Sequence, residues 1–224
     1  MLEVNALSKE YGKKTILEAI SLRVEKGEII GLVGENGAGK STLLNILATL
    51  QVPTDGNLTL KALDYNKHYK LLRKQIGYVP QDIAIWEEFT VEENMLFFEK
   101  LSWKRKTNQE LRQLCLDMKL EKWKEPVKKL SGGMKRKLNL AISLIHDPEL
   151  LLLDEPTVGI DLKSRKEIGS YLKDQANQRG RAIVYTSHDM DEIISLCDRV
   201  ICIGEDPFYE EILQSSGKKI ISFS

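Results

Sequence analysis

Apolar and polar residues change period several times along the chain, and each change marks an element. Leu2 to Leu7 and Ile16 to Val24 alternate with period two, which predicts two strands with an exposed face, joined by a turn at Tyr11-Gly12-Lys13-Lys14. That is an antiparallel flank. Ile29 to Val33 is a short unbroken apolar run suited to a buried strand, whereas Leu43, Leu44, Ile46, Leu47 and Leu50 recur at helical spacing from Thr42 onward. Pro53-Thr54-Asp55-Gly56 predicts a turn, Asn57 to Leu60 a strand, Tyr69 to Gln75 a short basic helix, and Ile76 to Gln81 a strand ending at Pro80.

Helical periodicity then takes over from Thr90 to Ile145, in three patterns at Val91 to Leu101, Gln109 to Leu120 and Met134 to Ile145. Strands return at Leu150 to Leu153, Ala182 to Thr186 and Val200 to Ile203, separated by helical patterns at Leu162 to Gln178 and Met190 to Leu196. This alternation predicts an α/β fold with a mostly parallel sheet, interrupted by a helical insertion. The expected division is a sheet core over 1–85 and 148–224 with a helical subdomain over 86–147. Gly204 to Ser224 has no clear period, and the chain has no internal repeat or low-complexity linker.

Composition adds limits. With 224 residues, 42% of them hydrophobic, the chain is long enough to bury a real core as one unit. Lys plus Arg number 33 and Asp plus Glu number 33, so no overall positive field favours nucleic acid or anionic lipid, although local basic patches remain open. Cys115, Cys197 and Cys202 are an odd set without metal-ligand spacing and read as reduced, small apolar residues. No apolar run approaches the ~20 residues of a membrane span, and the N-terminus lacks a basic region followed by an apolar one.

The chemistry centres on Gly34-Glu35-Asn36-Gly37-Ala38-Gly39-Lys40-Ser41, which fits G-x-x-x-x-G-K-[ST] between a strand and a helix. Its glycines let backbone N–H groups approach phosphate oxygens, the helix start adds partial positive charge, Lys40 adds a full one, and Ser41 offers a hydroxyl to Mg²⁺. Leu150 to Leu153 ends in Asp154 and Glu155, at the strand end where a parallel sheet presents ligand-binding groups. There Asp154 suits the ion and Glu155 suits the water attacking a γ-phosphate. His188 follows the strand ending at Thr186 and falls at the same edge, where a hydrogen bond to that water or phosphate competes with a purely structural role. Ser131 is placed as an N-cap ahead of Gly132 and Gly133, which reads equally as a second anion site or an ordinary capped helix. Lys135, Arg136 and Lys137 are expected on a solvated face.

Taken together, and over nearly the whole chain, these motifs resemble the nucleotide-binding subunit of an ABC transporter, a P-loop NTPase. The resemblance implies that Tyr11 stacks on adenine, that Gly34 to Thr42 bind the phosphates, and that Ser41, Gln81 and Asp154 hold Mg²⁺. It implies catalysis by Lys40, Gln81, Glu155 and His188, with Leu130 to Gly133 as the signature sequence and Asp161 closing the loop that follows the two carboxylates. ATP would lie between one chain's phosphate loop and the partner's Ser131-Gly132-Gly133 in a head-to-tail dimer. A transmembrane permease would hold that dimer at the cytoplasmic face of the cell membrane, with no nucleic acid expected.

Met134 stands where the commonest signature has Gln, and Met134-Lys135-Arg136-Lys137 resembles bacterial exporters of the drug and sodium-efflux type. Many of those continue further, so a regulatory extension is expected to be missing. Soluble ABC ATPases acting on ribosomes or DNA are the alternative, but those usually carry two cassettes or a long coiled-coil insertion. A regulatory module without turnover conflicts with Glu155 and His188 both being in place. GTP is disfavoured because Asn66-Lys67-His68-Tyr69 lacks the acidic residue of an N-K-x-D guanine reader. Gln81 to Phe98, with Trp86, Phe89, Phe97 and Phe98, is the expected docking groove for the permease, unless those rings fill the helical core.

Overall fold

A computed structural model describes residues 1–204 and 207–223. In chain order the elements are β1 (Leu2–Tyr11), β2 (Lys14–Val24), β3 (Ile29–Val33), α1 (Lys40–Leu47), β4 (Asp55–Leu60), β5 (Leu63–Asp64), α2 (Tyr65–Leu72) and β6 (Ile76–Val79). Three helices follow: α3 (Val91–Leu101), α4 (Asn108–Asp117) and α5 (Gly132–Ser143). The remainder is β7 (Leu150–Leu153), α6 (Leu162–Arg179), β8 (Ala182–Thr186), α7 (Met190–Leu196), β9 (Arg199–Ile203), α8 (Pro207–Ser215) and β10 (Lys219–Phe223).

Two sheets organise these elements. The first is antiparallel, in the order β2-β1-β4-β5, and the second is parallel throughout, in the order β10-β9-β3-β8-β7-β6. A parallel sheet is covered on both faces, so its strands read as continuous apolar runs. The four leucines of β7 show this directly. Leu151 and Leu153 enter a core shared with α3 to α7, while Leu150 and Leu152 enter a second core shared with α1 and the antiparallel sheet. Ile183 and Tyr185 of β8 divide from Ala182 and Val184 in the same way.

Thr90 and Thr107 start α3 and α4 with reciprocal capping boxes to Glu93 and Glu110. The basic helix differs from expectation. It begins at Tyr65 rather than Tyr69, because Asp64 Oδ1 accepts from Asn66 N at 2.8 Å and Lys67 N at 3.1 Å and so sets an earlier N-terminus. The unassigned tail contributes α8 and an edge strand, β10, in register with β9.

The solvated face expected at Lys135 to Lys137 is also absent. Helix α5 lies among α3, α4, α6 and β6, so Arg136 and Lys137 are only 7% and 4% exposed. Burial of charge demands partners. Arg136 donates to the Pro80 carbonyl at 3.4 Å, Lys135 reaches Glu87 at 2.5 Å, and Lys137 pairs with Glu167 of α6.

Candidate functional site

Sheet register brings the chemistry to one edge. Val79 pairs with Leu153 and Leu153 with Tyr185, so Pro80, Asp154 and Thr186 follow in one row across the carboxyl ends of β6, β7 and β8. The loop after β3 lies at the same end, since Leu32 pairs with Thr186. A cleft of about 580 Å³ opens there. Tyr11, Lys14 and Ile16 form one wall, Asn36, Gly37, Gly39, Lys40, Ser41 and Thr42 the floor, and Gln81, Glu155 and His188 the opposite wall.

Gly34, Glu35 and Ala38 complete the loop without lining the cleft. Gly34 has φ 150°, and a Cβ there would sit 2.2 Å from the Ile203 carbonyl oxygen, so the loop's close seat on β9 requires glycine. Lys40 is 6% exposed, and its Nζ donates to the Gly34 and Glu35 carbonyls at 2.7 and 2.9 Å. Burial pulls its pKa below the ordinary lysine value, while the negative charges of Glu155 and Asp154 oppose that pull. Tyr11 is 48% exposed, with its hydroxyl fixed to Gln51 Oε1 at 2.6 Å.

The opposite wall is a linked set. Glu155 accepts from His188 Nε2 at 2.8 Å on Oε1 and from Gln81 Nε2 at 3.2 Å on Oε2. Its backbone adopts φ 46°, uncommon for a non-glycine residue, which turns the chain sharply after β7. Thr186, a residue the sequence reading did not single out, holds that turn. Its hydroxyl accepts from Glu155 N at 2.8 Å and donates to Asp154 Oδ1 at 3.0 Å, with both Thr186 and Asp154 nearly fully buried. Only pairing of β7 with β8 reveals it, because 32 residues separate the two partners in sequence. Burial, with a smaller contribution from the negative charge of Asp154, pushes the nearby Tyr78 hydroxyl up to about 12.

Ser131, Gly132, Gly133 and Asp161 lie outside this cleft. Ser131 caps α5 as expected, accepting from Met134 N at 3.3 Å, and Gly132 abuts Gly159 and Ile160. Asp161 caps α6, and Ser164 occupies both its carboxylate oxygens at 2.9 and 2.7 Å. A Cβ on Gly133 would fall 2.1 Å from Ser164 Oγ, so the start of α5 is pressed against the start of α6. Within one chain, then, the phosphate loop and the Ser131-Gly132-Gly133 turn belong to separate surfaces.

The profile of the family described as ABC transporter matches residues 17–158, from β2 through the phosphate loop and α5 to just beyond Glu155. The chain belongs to the ABC transporter family. The linearmycin resistance ATP-binding protein LnrL of Bacillus subtilis (strain 168) is 41% identical over 211 residues, covering 92% of this chain and 67% of that protein. Nod factor export ATP-binding protein I of a Rhizobium etli strain is 41% identical over 207 residues, covering 91% and 65%. The chain thus spans about two thirds of the length of these relatives. Among solved structures, the dimeric ABC transporter cassette MJ0796 superposes with a TM-score of 0.81 at 25% identity, covering 91% of this chain and 94% of that one. The same cassette in a post-hydrolysis state bound to ADP and Pi gives 0.78 at 26% identity, with the same coverage. The fold is therefore that of an ABC cassette, an α/β P-loop ATPase domain.

Proposed function

We propose that this ABC-family chain hydrolyses Mg-ATP as one half of a head-to-tail dimer and drives export through a separate membrane permease. The observation that carries the reading is Glu155, held between Gln81 and His188 across the cleft from Lys40. Two donors aimed at its carboxylate orient it without removing its capacity to accept a proton from an attacking water. In this reading Tyr11 faces adenine, and Gly34 to Thr42 cradle the phosphates. Lys40 compensates the β and γ charge, and His188 steadies Glu155 and the γ-phosphate.

Ser41, Gln81 and Asp154 fit Mg²⁺ as a set of hard oxygen donors, and the hydroxyl that Thr186 donates fixes the buried Asp154 carboxylate. Bound there, the ion would offset charge on the β and γ phosphates. The partner's Ser131, Gly132 and Gly133 would close the site, with Asp161 fixing the loop beside them. The dimeric cassette similar in fold supports this arrangement, and relatives named for export and for resistance support the direction of transport.

Among the described residues no helix is long and apolar enough to cross a membrane. We assign Gln81 to Phe98 as the docking surface, which would seat the dimer at the cytoplasmic face. Trp86, Phe89 and Phe97 are 54%, 39% and 37% exposed and pack on one another, whereas Phe98 turns into the core. Exposed aromatic anchors of this kind suit a partner's pocket.

Glu155→Gln tests the mechanism, since it keeps the shape of the side chain and removes the base. ATP turnover should fall ~10²- to 10⁴-fold, and the variant should dimerise with ATP but not with ADP, as read by light scattering. Turnover at the parental rate would remove Glu155 as the base. Slow turnover without ATP-dependent association would instead remove the shared site.

A further inference from the structure

The overall balance of 33 cations and 33 carboxylates conceals two one-sided stretches. Residues 65–75, in and just after α2, carry Lys67, Lys70, Arg73 and Lys74 and no carboxylate. Residues 100–109, from the end of α3 into α4, carry Lys100, Lys104, Arg105 and Lys106 and again none. The fold joins them, because Lys74 Nζ lies 5.0 Å from the centre of the Trp103 ring. Four carboxylates reach the second stretch: Glu99 lies 3.5 Å from Arg105, Asp147 lies 3.3 Å from Lys104 while also pairing with Arg181, Glu110 accepts from Thr107, and Glu92 accepts from Asn108. The cations of the first stretch make no ion pair among the described residues.

Apolar side chains stand among these cations. Leu71, Leu101 and Trp103 are 47%, 66% and 59% exposed. Leu101 lies one helical turn beyond Phe97 on α3, so the patch runs on from the aromatic surface assigned above to the permease. Ammonium and guanidinium groups complement lipid phosphates, and indole and leucine side chains enter the interfacial layer beneath them. A nucleic acid would use the cations but leave the two leucines unburied. The one ring of α2 suited to stacking, Tyr69, is flanked by Lys70 and Arg73 at 6.0 and 5.5 Å.

We propose that the Lys67–Lys74 and Lys100–Lys106 surface contacts anionic phospholipid headgroups. The patch would lie flat on the membrane beside the docked permease and help set the tilt of the cassette. The docking reading supplies only the setting, and the test contains no permease, so failure of one leaves the other standing.

The test is co-sedimentation of the full chain with phosphatidylglycerol-rich vesicles and with pure phosphatidylcholine vesicles at low and high salt. Retention on the anionic vesicles alone, released by salt, is expected. Lys70→Gln with Lys74→Gln should weaken partitioning about 25-fold, taking roughly a fivefold loss per cation. The exposed pair Lys163→Gln with Lys173→Gln on α6 should change it little. Unchanged ATP hydrolysis by both double variants would show that they fold. Equal retention on both vesicle types, no retention at all, or equal losses in the two double variants would each overturn the proposal. Tighter binding to a single-stranded RNA oligonucleotide than to the anionic vesicles would reassign the patch to nucleic acid and overturn it as well.

Discussion

Thr186→Val tests how the two carboxylates are placed. The side chains are close in shape, Thr186 is fully buried, and its hydroxyl links the amide of Glu155 at 2.8 Å to the Asp154 carboxylate at 3.0 Å. Valine would leave the Glu155 amide without its partner, at about 1–3 kcal/mol, and would remove a hydrogen bond to a buried charge worth about 1.5–3 kcal/mol. After allowing for about 1 kcal/mol of favourable burial of a methyl group, a net loss of about 1.5–5 kcal/mol is expected, or about 3–20 °C in melting temperature for a chain of this size. Thr186→Ser keeps the hydroxyl and should recover most of that loss. Circular dichroism melts and ATP turnover should be read together, because a Glu155 freed to leave φ 46° would no longer meet Gln81 and His188. If Thr186→Val melted with the parent and hydrolysed ATP at the parental rate, the hydroxyl would not be what positions the turn.

Further outcomes follow from the same geometry. Lys40→Ala should cost ~10²–10³-fold in turnover, measured by phosphate release, because it deletes the full positive charge beside the phosphate loop. Lys137→Met should cost up to about 3 kcal/mol in urea denaturation, since it breaks a buried ion pair between α5 and α6 and leaves Glu167 only the more exposed Lys119 at 3.6 Å. The hydrogen bond from Lys137 holds the Glu167 carboxyl below its ordinary value. The pair therefore stabilises the fold above the unfolded carboxylate pKa, and its contribution fades as pH falls through the folded value. Between about pH 5 and pH 3 the parent should lose more stability than Lys137→Met. Trp86→Ala should fold and hydrolyse ATP normally, because the ring is half exposed, yet lose co-purification with a membrane protein. Retained co-purification would return Trp86 to a packing role.

Much of the molecule was legible from local pattern. The Gly34–Ser41 loop, the leucine run ahead of Asp154 and Glu155, and helices α3 and α7 follow from period, punctuation and side-chain chemistry within a few residues of one another. Those forces act along the chain, so the chain alone records them. Whether a charged residue meets solvent is set by whatever elements arrive from elsewhere. Lys137 looks like a surface residue in its own helix and becomes buried only because Glu167 comes from α6 to meet it. Thr186 acquires its part through the β7–β8 register, and β10 becomes a strand by pairing with β9. The Ser131-Gly132-Gly133 turn could be read as a helix cap, but its separation from the phosphate cleft within one chain was a matter of packing. Sequence thus determined which chemical groups the protein carries and the order in which they occur. Tertiary structure decided which of them meet, because burial and hydrogen bonding depend on distances in space between residues tens of positions apart.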